Sequence, residues 1–254
     1  MSRLLQGLTL CVLVTLSACN SPGMGYRSPE TDPDVRLIGV MGVHRGEDVT
    51  QTCPNGCRER GKPNCERCRH LIDERGHIVV DPERSRNAVE RLAVEFPNHA
   101  PTLFAAASLA YDNGERERAA SYLDELLARH PVHPEAAVLR SRIAIEEGNL
   151  PGARRTLEQQ IQFTPDHFGL RESLSATQFL DGDLSASLTQ LEIAERLGAP
   201  AWRLAFNRGL IAEAAGNPRG AIEQYEISLA ERPGYRAALS RKAGLLATAG
   251  EDAF

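Results

Sequence analysis

Five glycines, Gly114, Gly148, Gly182, Gly216 and Gly250, stand 34 residues apart, and a fixed period in the thirties restricts a chain to a stack of like units. Two further ladders keep the step. Ala119, Ala153, Ser187 and Ala221 follow the first four glycines by five residues, and Pro97, Pro131, Pro165 and Pro233 recur at 34 or a multiple of it, with Pro200 one place late.

Each ladder has a mechanical reading. A glycine beside Asn or Asp, as in Asn113-Gly114 and Asp181-Gly182, adopts the left-handed conformation that ends a helix. The small residue five positions on admits a second helix close against the first. The proline ends that second helix, because it has no amide hydrogen to continue the ladder. Each unit is therefore a helix hairpin. The pattern predicts a first helix over Ser85–Phe96, inner helices starting near Pro101, Glu135, Gly169 and Ala201, and a last helix over Tyr235–Ala249. Arg236, Arg241 and Lys242 are expected to wet the outer face of that last helix, as the end of a solenoid requires.

The chain resembles the tetratricopeptide repeat (TPR) family, whose unit shows a small residue, a turn glycine, an alanine, an aromatic and a terminal proline. The fourth unit carries the resemblance best, with Phe206-Asn207-Arg208-Gly209, Gly216-Asn217, Ala221, Tyr225 and Pro233. The third departs most, having Ser187 for alanine and Ala199 where proline is expected, so its helix pair is expected to sit out of line. The resemblance implies an all-α, TPR-type helical-hairpin solenoid wound as a right-handed superhelix, and a binding scaffold without fixed partner chemistry.

Composition limits the alternatives. With 42% hydrophobic and 25% charged residues the chain is an ordinary folded protein, and its net charge of −5 gives no overall basic footprint for nucleic acid. Residues 53–70 hold five Lys or Arg against two Glu, whereas residues 71–254 hold 20 against 27. A small basic module thus precedes an acidic solenoid.

The N-terminus reads as an address. Arg3 precedes the apolar run Leu4–Leu16, too short for a comfortable membrane span and closed by small residues, as in a secretory signal. Leu16-Ser17-Ala18-Cys19 resembles the bacterial lipobox, which implies lipidation of Cys19 and anchoring to a membrane through its acyl chains. Asn20 stands where an Asp would retain such a lipoprotein in the inner membrane, so the resemblance places the protein on the outer membrane, facing the periplasm. The predicted organisation is a signal peptide over 1–18, a tether over 19–35, a cysteine-rich module over 36–82 and the solenoid over 83–254.

Cys53, Cys57, Cys65 and Cys68 form a C-x3-C and a C-x2-C seven residues apart. Two close pairs suit either two disulfides, which an exported compartment favours, or four thiolates around one zinc. No other cofactor is expected. The apolar runs Leu37–Val43 and His77–Val80 read as a short strand hairpin beside this module.

In TPR proteins the first helix of each unit lines the concave face. Carried over, this implies a partner-binding groove built from Phe104, Val138, Glu172 and Phe206, from Arg142 and Leu210, and from Tyr111 and Phe179. His99, His133 and His167 also step by 34, but equivalent residues of stacked helices lie about 8 to 10 Å apart, too far to share one zinc. They are read as turn residues at helix starts. No phosphate loop, H-E-x-x-H or nucleophile elbow occurs, so no enzyme is expected. The expected function is a lipid-anchored scaffold for an envelope protein or peptide segment in assembly, secretion or pilus biogenesis. The alternative is a metal-binding or redox envelope protein acting through the four cysteines.

Overall fold

A computed structural model describes residues 33–44 and 82–251. The described residues form eleven α-helices: α1 (Pro33–His44), α2 (Pro82–Glu95), α3 (Ala100–Asp112), α4 (Arg116–Arg129), α5 (Pro134–Glu146), α6 (Leu150–Phe163), α7 (Phe168–Leu180), α8 (Leu184–Arg196), α9 (Ala201–Ala214), α10 (Pro218–Glu231) and α11 (Arg236–Glu251). Helices α3 to α10 are four consecutive hairpins. α2 occupies the position of a second helix and α11 that of a first helix, each one period outside the four.

The turn glycines do what the period requires. Gly114, Gly148, Gly182 and Gly216 have φ of 80°, 74°, 86° and 72°, a region closed to most residues. Behind each, the next amide reaches back to the helix, as in Glu115 N–H to the Ala110 carbonyl at 2.8 Å, the bond of a Schellman cap. Gly250 differs, because it lies inside α11.

Second helices end at proline in three units and at glycine in one. His130, Thr164 and Arg232 leave the helical region just ahead of Pro131, Pro165 and Pro233, as residues before proline do. The third unit has no proline at 199. There α8 ends on Gly198 with φ of 85°, and Ala199 N–H bonds the Ala194 carbonyl at 3.0 Å. A left-handed cap replaces the ring.

In each hairpin both helices carry a buried small residue at the equivalent position: Ala107 and Ala119, Ser141 and Ala153, Ser175 and Ser187, Gly209 and Ala221. Ser187, expected to disturb its unit, is matched instead. Its hydroxyl bonds the Ser175 hydroxyl at 2.8 Å and donates to the Ser175 carbonyl at 3.0 Å.

The N-terminal end departs from the sequence reading. Leu37–Val43, expected as a strand, lies in α1, and the tether boundary at residue 35 falls inside this helix. Leu37, Val40 and Met41 pack on the first core cluster. Their spacing of three and one is a helical stripe, and burying it against α2 and α3 decides the element. α1 runs antiparallel to α2, with Arg36 on Glu95 at 2.7 Å and its guanidinium 5.6 Å from the Phe96 ring centre. α1 thus serves as the first helix of an opening hairpin, its partner α2 following 37 residues later in the sequence. His77–Val80 lies outside the described residues.

Candidate functional site

The first helices α3, α5, α7 and α9 stand side by side and enclose a concave cavity of about 750 Å³. Its lining includes Phe104 and Tyr111 from α3, Val138 and Arg142 from α5, Phe168 and Glu172 from α7, and Trp202 and Phe206 from α9, with Tyr235 closing the far end. Six aromatic side chains line it, nearly half of the Phe, Tyr and Trp in the chain, including the only tryptophan.

The histidine ladder sets the start of these helices. His133 and His167 are the N-caps of α5 and α7, their Nδ1 atoms accepting the amides of Ala136 at 3.2 Å and Leu170 at 3.3 Å. His99 holds the same position before α3, but its ring accepts no helix amide; Nδ1 lies 2.6 Å from the Thr102 hydroxyl and Nε2 3.1 Å from Asp34 of α1. Of the three imidazoles, His167 lines the cavity. The His133 and Phe104 rings lie 5.2 Å apart, and His167 stacks on Phe168 at 5.9 Å.

The floor is fixed by charge pairs. Glu172 is buried and grips Arg203 with both oxygens, Arg203 Nε lying 3.0 Å from Oε1. The same guanidinium sits 5.7 Å from the Phe168 ring centre. At the near end the Tyr111 hydroxyl donates to Glu146, which also accepts from Arg116 at 2.6 Å. These two bonds hold the Glu146 carboxyl below its usual range, while burial and that carboxylate push the Tyr111 phenol up.

The far end is an aromatic wall. Trp202 meets Tyr235 edge-on at 5.0 Å, Phe206 meets Tyr235 at 5.0 Å and Tyr225 at 5.7 Å, and Arg232 covers the Trp202 ring at 4.5 Å. Contacts of this geometry order rings before any ligand arrives.

Six of the eight groove positions named from sequence line this cavity: Phe104, Tyr111, Val138, Arg142, Glu172 and Phe206. Phe179 and Leu210 do not. Phe179 packs on the Leu191 and Leu204 cluster, and Leu210 on that of Ala221 and Tyr225, where a large apolar side chain gains more than at a wetted wall. Leu180 lines the groove on α7 instead. Phe168, Trp202, Arg203 and Tyr235 were missed, although Phe168 and Trp202 stand one period apart and signal a further row. Cys19, Cys53, Cys57, Cys65 and Cys68 lie outside the described residues. Among the described residues no group of three His, Cys, Asp or Glu is placed to hold a metal, and no helix is long and apolar enough to cross a membrane.

Among curated proteins none matches the chain significantly in sequence. Solved structures match it in fold. TTC0263, a thermophilic TPR protein of Thermus thermophilus, aligns at a TM-score of 0.58 with 19% identity, over 65% of this chain and 90% of its own. MamA from residue 41 onward, of Desulfovibrio magneticus RS-1, aligns at 0.52 with 18% identity, over 66% and 92%. YrrB, described as a TPR protein with an unusual peptide-binding site, aligns at 0.50 with 14% identity, over 64% and 84%. The model of the family described as tetratricopeptide repeat matches residues 104–167, 181–236 and 208–253, more than half of the chain. With the hairpin geometry, the glycine caps and the concave face already in place, that match identifies the chain as a member of the tetratricopeptide repeat family, an all-α solenoid with the fold of a protein–protein interaction scaffold.

Proposed function

We propose that this chain is a lipid-anchored, non-catalytic scaffold facing the periplasm, and that its groove holds a segment of another envelope protein during assembly, secretion or pilus biogenesis. The observation that carries the reading is the concentration of aromatic side chains on one concave wall. Aromatic anchors set in a desolvated groove are what peptide recognition uses most, and YrrB offers a described precedent in the same fold. The anchor rests on Leu16-Ser17-Ala18-Cys19. In this reading the four cysteines form disulfides that staple the excursion over residues 45–81, with zinc as the alternative use of the same thiols.

One experiment in intact bacteria tests both parts. A photo-crosslinking residue is placed at Leu180, exposed within the groove, and as a control at Glu158, exposed outside its lining. The expected result is one envelope protein crosslinked from Leu180 alone, identified by mass spectrometry, and lost when Cys19→Ser releases the chain from the membrane fraction. Equal yields from both positions would remove the groove reading, and unchanged membrane partition of Cys19→Ser would remove the anchor. Truncating one true aromatic contact should cost about 2 kcal/mol of binding, roughly thirtyfold in affinity. Trp202→Ala is preferable to Phe206→Ala for this purpose, because Phe206 also packs on buried Tyr225.

A further inference from the structure

Two guanidiniums line the groove, those of Arg142 and Arg203, and they differ in what answers their charge. Arg203 is met from within, by both oxygens of buried Glu172. Arg142 stands exposed in the third turn of α5 and forms no ion pair with a described carboxylate. Glu146, one turn further on, would be its natural partner, but the Tyr111 hydroxyl and Arg116 both bond to that carboxylate. The charge of Arg142 reaches groups on either side of it. Burial and then the like charge of Arg142 hold the Arg203 guanidinium below its ordinary value, against the pull of the Tyr235 phenol. Burial and Glu146 push the Tyr111 phenol up, and Arg142 offsets only part of that rise. Arg142 thus lies between Phe104 and Tyr111 of α3 and the rings of Phe168, Trp202 and Phe206 on α7 and α9. One period on from it stands Ala176, with Ser173 a turn before, and such small side chains leave room above the guanidinium.

Resting on the groove reading above, we propose that the segment held there carries one acidic side chain, Asp or Glu, seated on Arg142 and bracketed by large apolar or aromatic side chains. A guanidinium and a carboxylate pair through two parallel hydrogen bonds. Closing aromatic walls over that pair excludes water from it, and a neutral side chain in its place leaves a desolvated cation without a partner. Position selects a side chain over a chain end. With rings on both sides of Arg142, a segment that ended there would leave one wall unused. Position also selects a single acid over a run. Apart from Glu172, the carboxylates of the lining are Asp112 at the C-terminal end of α3 and Glu135 in the first turn of α5, and both repel further negative charge.

The test pans a phage-displayed library of random peptides against the full chain, then titrates synthetic copies of the selected sequences, with amidated C-termini, against the chain and its variants. The expected sequences carry one Asp or Glu at a fixed place between large apolar or aromatic residues. Arg142→Gln should weaken them about tenfold without lowering the melting temperature, since no ion pair is lost. Changing the peptide's acid to its amide should cost the same, and combining the two changes should cost no more than either. Arg142→Glu should recover binding to a peptide bearing Lys in place of the acid. Trp202→Ala separates this inference from the groove reading. Peptides weakened by Trp202→Ala but without a preferred acid, and indifferent to Arg142→Gln, would overturn the acidic anchor and leave the groove standing. Peptides indifferent to both variants, or a library without binders, would overturn both. Binding abolished by amidation would overturn the side-chain assignment in favour of a chain end.

Discussion

The third and fourth hairpins share one period and one backbone plan, yet the seams between their helices are built oppositely. In the fourth, Gly209 has no side chain and the Tyr225 ring fills the space, fully buried, with its hydroxyl on Glu213. In the third, Ser175 and Ser187 face each other and bond, and Arg171 reaches Gln190 at 3.2 Å. Leu191 stands where Tyr225 does. One seam is closed by volume and the other by hydrogen bonds. The period therefore fixes the combined size of facing residues, and the members of a pair vary together.

The largest expected effect breaks the volume seam. Gly209→Ala puts a methyl 2.4 Å from the Tyr225 ring, and overpacking of this kind costs about 1 to 3 kcal/mol even after the better helix propensity of alanine is counted. Thermal unfolding should fall by about 2 to 4 °C per kcal/mol. Adding Tyr225→Leu should recover most of the loss, because it recreates the Ala107 and Leu123 pairing of the first hairpin. Failure of that rescue would show that the seams are not interchangeable. A smaller effect probes the polar seam. Ser187→Ala strands the buried Ser175 hydroxyl and should cost about 1 kcal/mol, whereas Ser175→Ala with Ser187→Ala removes both partners and should be close to neutral. Equal losses in the single and double variants would refute the pairing.

What the sequence disclosed follows from range. Turn glycines, terminal prolines and the histidine caps act within a few residues of themselves, so the period locates them directly. Pairings across the hairpin are harder: Ser187 looked like a defect because Ser175, twelve positions away, had not been set beside it. The facing of a helix is harder still, since one residue turns the side chain by about 100°. Phe179 and Leu180 differ by that single step, and only packed neighbours decide which of them meets the groove. α1 was hidden for another reason. The partner that makes it a helix is α2, beyond the whole of residues 45–81, and no local pattern announces that contact.

The smallest effect compares the hairpins through their caps. α5 is capped by His133, whose Nδ1 must be unprotonated to accept the Ala136 amide, whereas α8 is capped by Asp183, which accepts the Ala186 amide at 2.9 Å. Burial holds the His133 imidazole below the usual histidine value, outweighing the attraction of Glu135. Glu135 lies 3.5 Å from Nδ1 and also 3.5 Å from His167 Nε2, His130 adds a like charge, and Phe104 covers the ring. A base whose pKa is lowered by folding binds more protons unfolded than folded, so its contribution is complete above the ordinary histidine value and is lost as pH falls through and below it. The loss should not exceed about 1 kcal/mol, the scale of one side-chain cap. Between about pH 7.5 and 5.5 the melting temperature should therefore decline, and His133→Asn, which caps without titrating, should flatten part of that decline. An identical decline in His133→Asn would remove this cap from the pH response.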